Sequence, residues 1–177
     1  MIHPDTPNEG KSNMARYVTT VDTTWDRERA FAYLADFASI SDWDPGVVRS
    51  KRLSGEPFAF GARFEVISSF LGREIPLVYE VLEIDPPRRV LLRAETSTMT
   101  SLDEMTFDLR PGGGTLVTYD ADLALKGVAK VAELGMRLAF RRIGDHARDG
   151  LRDRLAAEAP AADKLSEIPK PASPPTG

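Results

Sequence analysis

From Val128 to Glu158 the chain holds no proline and keeps a helical period throughout. Ala132, Met136, Phe140, Ile143, Ala147, Leu151 and Leu155 recur at steps of three or four, so one apolar stripe runs along the whole segment. At 1.5 Å per residue such a helix spans roughly 45 Å, the width of a whole small domain. It cannot sit at one corner. The rest of the chain must wrap around it.

The segments before it supply the wrapping. Ala15–Asp22 is rich in β-branched and aromatic residues and predicts a first strand. Thr24 or Asp22 is placed to cap a short helix over Arg27–Leu34, which carries Ala30, Phe31 and Leu34 on one side. Asp36 is placed to cap a second, Phe37–Asp42, which Asp44-Pro45-Gly46 ends. Six strand patterns follow, over 47–53, 62–70, 73–84, 88–96, 98–109 and 115–125. Turn signals separate them: Gly55-Glu56-Pro57, Leu71-Gly72-Arg73, Asp85-Pro86-Pro87 and Pro111-Gly112-Gly113-Gly114. The glycine run joins two strands and has no helix after it, so it predicts a hairpin turn and not a phosphate loop. The expected architecture is α+β: seven antiparallel strands, two short helices after the first strand, and the long C-terminal helix.

The ends read differently. Residues 1–14 and 159–177 predict flexible tails around one domain over 15–158; five of the chain's 13 prolines lie in the second tail. Met1 and Met14 are both candidate starts. Cysteine is absent and only His3 and His146 occur, which argues against a metal centre and against a disulfide framework. No cofactor is expected. A formal charge of −4 gives no electrostatic reason to expect nucleic acid. No apolar run approaches the roughly 20 residues that span a bilayer, and no signal-like h-region stands at the start. A cytoplasmic protein, monomeric or homodimeric, is the expectation.

The order of elements resembles the helix-grip fold of the START-like (SRPBCC) superfamily, in its polyketide cyclase/dehydrase and lipid-transport branch. Five stretches carry the resemblance: Trp43-Asp44-Pro45-Gly46-Val47, Gly61-Ala62-Arg63-Phe64, Tyr79 through Arg89, Gly114 through Tyr119, and Leu125-Lys126-Gly127. They identify fold and branch and contain no catalytic motif. The resemblance implies a bent sheet gripping the long helix, with a cavity between them for a lipid-, polyketide- or sterol-like molecule. It also implies that the corner holding Trp43 stands at the cavity mouth.

Strand parity then selects the residues facing that cavity. Val117, Tyr119, Ala121 and Leu123 share a face. So do Leu77, Tyr79 and Val81, and on another strand Phe64, Val66 and Phe70. Leu92 belongs to the face of Val90 and Ala94. Met105 and Phe107 place Asp103 and Ser101 on their own face, unless a bulge before Met105 turns Asp103 outward. Solid core packing is the plain alternative for every apolar member. Asp103, Tyr79 and Tyr119 are the acid–base candidates, because a carboxylate in an apolar cavity has its pKa raised by desolvation. Arg142, His146, Asp149 and Asp153 share one side of the long helix and read as a solvated face, with a proton shuttle as the alternative.

Three functions remain open at this level. The first is binding or transport of a small hydrophobic molecule. The second is a cyclase- or aromatase-type enzyme. The third is a co-chaperone-like interaction module that would use the short stripe Val128, Val131, Leu134, Gly135 and Leu138.

Overall fold

A computed structural model of the chain describes residues 13–159 apart from Pro57, Leu71, Val128 and Ala129; for Asn13, Met14, Phe70 and residues 130–137 it describes the backbone alone. The expected tails therefore fall outside the described residues over 1–12 and 160–177. The first strand, β1, runs Asn13–Thr23, and α1 runs Arg27–Ala35. A short 3-10 helix at Phe37–Asp42 takes the place expected for a second α-helix. Then come β2 (Val47–Ser54), β3 (Arg63–Phe70), β4 (Arg73–Asp85), β5 (Arg89–Glu95), β6 (Met99–Leu109) and β7 (Thr115–Leu125). The last element, α2, runs Lys130–Ala156.

All seven strands form one antiparallel sheet in the order β1-β7-β6-β5-β4-β3-β2. The fold is the helix grip expected. Most strands show the expected alternation: on β7, Val117, Tyr119 and Ala121 are buried while Thr118, Asp120 and Asp122 are only partly so. The outer face carries charge pairs, among them Arg89 with both Glu83 and Glu104. The cap of α1 is Asp26, whose Oδ1 accepts from Arg29 N at 2.8 Å, and not Thr24 or Asp22. Its β-region backbone leaves the side chain free to turn back onto the first turn.

The concave face is filled unevenly. At one end α1 inserts Phe31 and Leu34, both fully buried. Phe31 meets Phe107 edge-on at 5.4 Å between centroids and Phe58 at 5.7 Å. The C-terminal end of α2 is tied to the same region. Thr23 Oγ1 donates to the Leu155 carbonyl and Trp25 Nε1 to that of Ala157, each at 2.8 Å. The Arg154 guanidinium lies 4.5 Å from the Tyr33 ring centroid and 5.0 Å from that of Trp25.

Helix α2 lies on the sheet along its apolar stripe. Ala147, Leu151 and Leu155 are buried, whereas Phe140 and Ile143 are half-buried. The side chains of Ala132 and Met136 lie outside the described residues. Two glycines set how closely the helix seats. A Cβ on Gly150 would stand 2.0 Å from the Trp43 carbonyl oxygen, and one on Gly144 would stand 2.4 Å from the Tyr17 ring.

Alanine in place of a helix-interior glycine ordinarily adds about 1 kcal/mol of stability. For Gly150→Ala we expect the opposite sign, a net loss of about 1–3 kcal/mol in urea melts, because backbone must move. A neutral or stabilised variant would show that α2 does not seat on Trp43.

Candidate functional site

Because α1 fills one end of the grip, the space that remains lies at the other. There a cavity of about 280 Å³ separates α2 from the sheet. The sheet wall is made by Val66, Leu77, Tyr79, Ser101, Asp103, Tyr119 and Ala121, and the helix wall by Phe140, Ile143, Gly144 and Ala147. Asp44 and Gly46 enter from the corner after the 3-10 helix. Most of this lining is apolar, and the polar groups gather in one cluster, the usual arrangement of a small-molecule pocket.

That cluster is a chain of hydroxyls ending on a carboxylate. Tyr79 Oη donates to Ser101 Oγ at 3.2 Å, and Ser101 Oγ donates to Asp103 Oδ2 at 3.0 Å. Tyr119 Oη donates to Asp103 Oδ1. Strand geometry brings them together: Ser101, Asp103 and Met105 alternate inward on β6, and Tyr119 is the register partner of Met105 on β7. The β5–β6 and β6–β7 registers run without a shift, so no bulge turns Asp103 outward. It is 2% exposed.

Burial pushes the Asp103 carboxyl up, against the nearby hydroxyls of Tyr119, Ser101 and Tyr79, which favour its charge. Burial, with the Asp103 charge added, pushes both phenols well above the ordinary tyrosine value. Asp44 is raised to about 6, first by burial and then by the charge of Asp103, while the Gly46 N–H and His146 oppose the rise. The site therefore sets two carboxyls and two phenols against an apolar wall. It can orient a polar head group, and it can hold or move a proton.

Eight expected residues line the cavity: Val66, Leu77, Tyr79, Ser101, Asp103, Tyr119, Ala121 and Leu123. Seven do not. Phe107, Val117, Met105, Leu92, Val81 and Phe64 have the inward parity but belong to the packed core, each at most 1% exposed. Parity gives the face of a strand and not the depth along it, and α1 covers the end that Phe107 occupies. Trp43 does not stand at the mouth. It is buried, with its ring edge-on to Tyr119 at 5.6 Å and its carbonyl against Gly150. The Phe70 side chain lies outside the described residues. His146, Arg142, Asp149 and Asp153 are exposed and are not part of the cavity wall.

Asp44 is a polar wall residue that sequence reasoning missed, as it missed Gly144 on the helix side. In the sequence Asp44 reads as part of a helix stop, and the 3-10 helix does end just before it, with Trp43 as the cap. Asp44 Oδ1 also accepts from Gly46 N at 2.7 Å, a local turn that aims the carboxyl back under the helix. The spacing Asp-x-Gly is the signal that was available. Among the described residues no group of three or more His, Cys, Asp or Glu could hold a metal, and no helix is long and apolar enough to cross a membrane.

The model of a family described as polyketide cyclase / dehydrase and lipid transport matches residues 14–157. A search of curated proteins finds no significant match. Among solved structures, a START superfamily protein from Mycobacterium smegmatis superposes with a TM-score of 0.64 at 13% identity, covering 80% of this chain and 96% of that one. The Zhui aromatase/cyclase from Streptomyces gives 0.65 at 12% identity, with 80% and 91% covered. The ginseng major latex-like protein 151, from Panax ginseng, gives 0.59 at 12% identity, with 81% and 99% covered. At these identities the likeness is one of fold.

The raised Asp44 carboxyl carries a pH signature. Its folded-state pKa, about 6, lies above the roughly 3.9 of an unfolded aspartate. The folded state therefore holds the proton more tightly, and the stability this confers is complete below about pH 4 and lost as pH rises through about 6. Asp44→Asn removes that loss. Chemical melts at about pH 8 should show the variant more stable than the parent by about 1–2 kcal/mol, with the gap closing at about pH 4. An equal gap at both pH values would show that Asp44 is not the group responsible.

Proposed function

As the chain belongs to the polyketide cyclase / dehydrase and lipid transport family, we propose that it binds or carries a small hydrophobic molecule in the cavity between sheet and helix. The observation that carries this reading is the cavity itself, an apolar space of about 280 Å³ with one polar cluster on its wall. Ligand sites run from roughly 300 to 1,000 Å³, so this one stands at the small end. It suits a compact ring system and is too small for a two-chain lipid.

A second reading, a cyclase- or aromatase-type enzyme, is favoured by one specific feature. Asp103 is buried, hydrogen-bonded and on the wall of an apolar space, with Tyr79 and Tyr119 beside it. Asp44, raised to about 6, adds a group able to take and return a proton near neutral pH. In that reading Asp103 and the two tyrosines orient a reactive chain and Asp44 exchanges the proton. The aromatase/cyclase from Streptomyces supports it by fold alone. The interaction-module reading rests on Val128, Val131, Leu134 and Gly135, whose side chains lie outside the described residues; Leu138, the remaining member, is 60% exposed.

Ala121 lies on the wall opposite α2, and tryptophan there would fill the space. An uncharged fluorescent naphthalene probe should bind the parent protein, and Ala121→Trp should weaken it at least about tenfold, roughly 1.4 kcal/mol, while circular dichroism stays unchanged. Unchanged affinity in a folded variant would move the binding site elsewhere.

A further inference from the structure

The polar cluster fixes the direction of its own protons. A hydroxyl carries one proton, and an ionised carboxylate only accepts. Tyr79 gives its proton to Ser101, and Ser101 and Tyr119 give theirs to Asp103. All three protons are committed inside the cluster. What the cluster turns toward the cavity is lone pairs, on the two phenolic oxygens and on Asp103.

The rest of the wall does not reverse this. Asp44 adds a second carboxyl, with Oδ1 engaged by Gly46 N–H. Among the described residues the lining holds no lysine, arginine or histidine. The hydroxyls of Ser69 and Thr98 belong to exposed residues at the rim, that of Tyr17 is given to Asp145, and Ser68 adds one half-buried hydroxyl on β3, three strands from β6 in the sheet. Trp43 Nε1 is a buried donor with no acceptor among the described residues, but Trp43 packs on Tyr119 and is not part of the wall.

An anionic head would have to leave water beside two carboxyls with no cation to meet it, a large desolvation cost. A purely accepting head, such as an isolated ketone, would set lone pairs against lone pairs and leave buried groups unsatisfied. Resting on the reading of the cavity as a hydrophobic-ligand site, we infer that its ligand is a compact ring system whose polar head donates hydrogen bonds, a hydroxyl or an ammonium, and bears no negative charge. The two head groups share the chemistry the wall requires.

Four naphthalene derivatives of nearly equal shape test this on the full-length protein at about pH 7.5, where the acid is ionised and the amine protonated: methylnaphthalene, naphthylmethanol, naphthylmethylamine and naphthylacetic acid. Titration calorimetry or displacement of an uncharged probe gives the affinities. Naphthylmethanol or naphthylmethylamine should bind at least about tenfold more tightly than naphthylacetic acid. Asp44→Asn and, separately, Asp103→Asn should narrow that gap. An acid that binds as tightly as the alcohol and the amine, or a gap that neither variant narrows, would overturn the inference. If methylnaphthalene binds and the head groups make no difference, the inference fails while the hydrophobic site stands. If methylnaphthalene does not bind either, the hydrophobic-site reading fails and the inference falls with it.

Discussion

The close seating of α2 on the rest of the chain is the constraint from which the structure follows. Gly150 lets the helix backbone meet the Trp43 carbonyl, and Gly144 gives room to the Tyr17 ring. Each glycine costs an isolated helix about 1 kcal/mol relative to alanine. Tertiary contact offsets this, because the seating buries Ala147, Leu151 and Leu155. It also fixes how far the helix stands from the sheet, and hence how much space is left between them. Tyr17 fastens the contact by donating to Asp145 Oδ1 at 2.9 Å.

That spacing has different consequences at the two ends of the grip. Toward the C-terminus of α2, Phe31, Phe58 and Phe107 fill the concavity, and Thr23, Trp25 and Arg154 tie the helix end down. Toward the other end the residues facing one another are small: Ala121 on the sheet, Gly144 and Ala147 on the helix. Small side chains across a helix–sheet gap leave a void that packing would otherwise close. The void is also where the chain places Asp103, a residue that solid apolar packing would not accommodate without partners. Two tyrosines and a serine satisfy it there. The cavity and the polar cluster are thus one feature of the fold.

Much of this was legible in the residues. The proline-free stripe ending in Leu155 required a long central helix, and the alternation of β7 named its buried face. Asp103 could be placed because parity holds wherever the register runs unbroken. Depth was not legible. Phe107 and Asp103 share one face of β6, yet one meets Phe31 and the other the cavity, and only the position of α1 decides between them. Phe140 belongs to the core stripe by periodicity but is half-buried on the cavity wall. Asp44 looked like punctuation because its turn-forming role and its place on the wall use the same side chain. Gly144 and Gly150 carry no periodic signal at all; their meaning depends on what packs against them. Asp26 displaced Asp22 and Thr24 as helix cap because β1 continues through Thr23.

The central claim is that a hydrophobic ligand occupies the space between α2 and the sheet. Methyl-labelled protein with a bound uncharged naphthalene tests this directly, through nuclear Overhauser contacts from the ring protons. The account predicts contacts to the methyl groups of Leu77, Ala121, Ile143 and Ala147, which face one another across the cavity. Contacts confined to exposed methyl groups such as those of Val48 and Leu53 would contradict it.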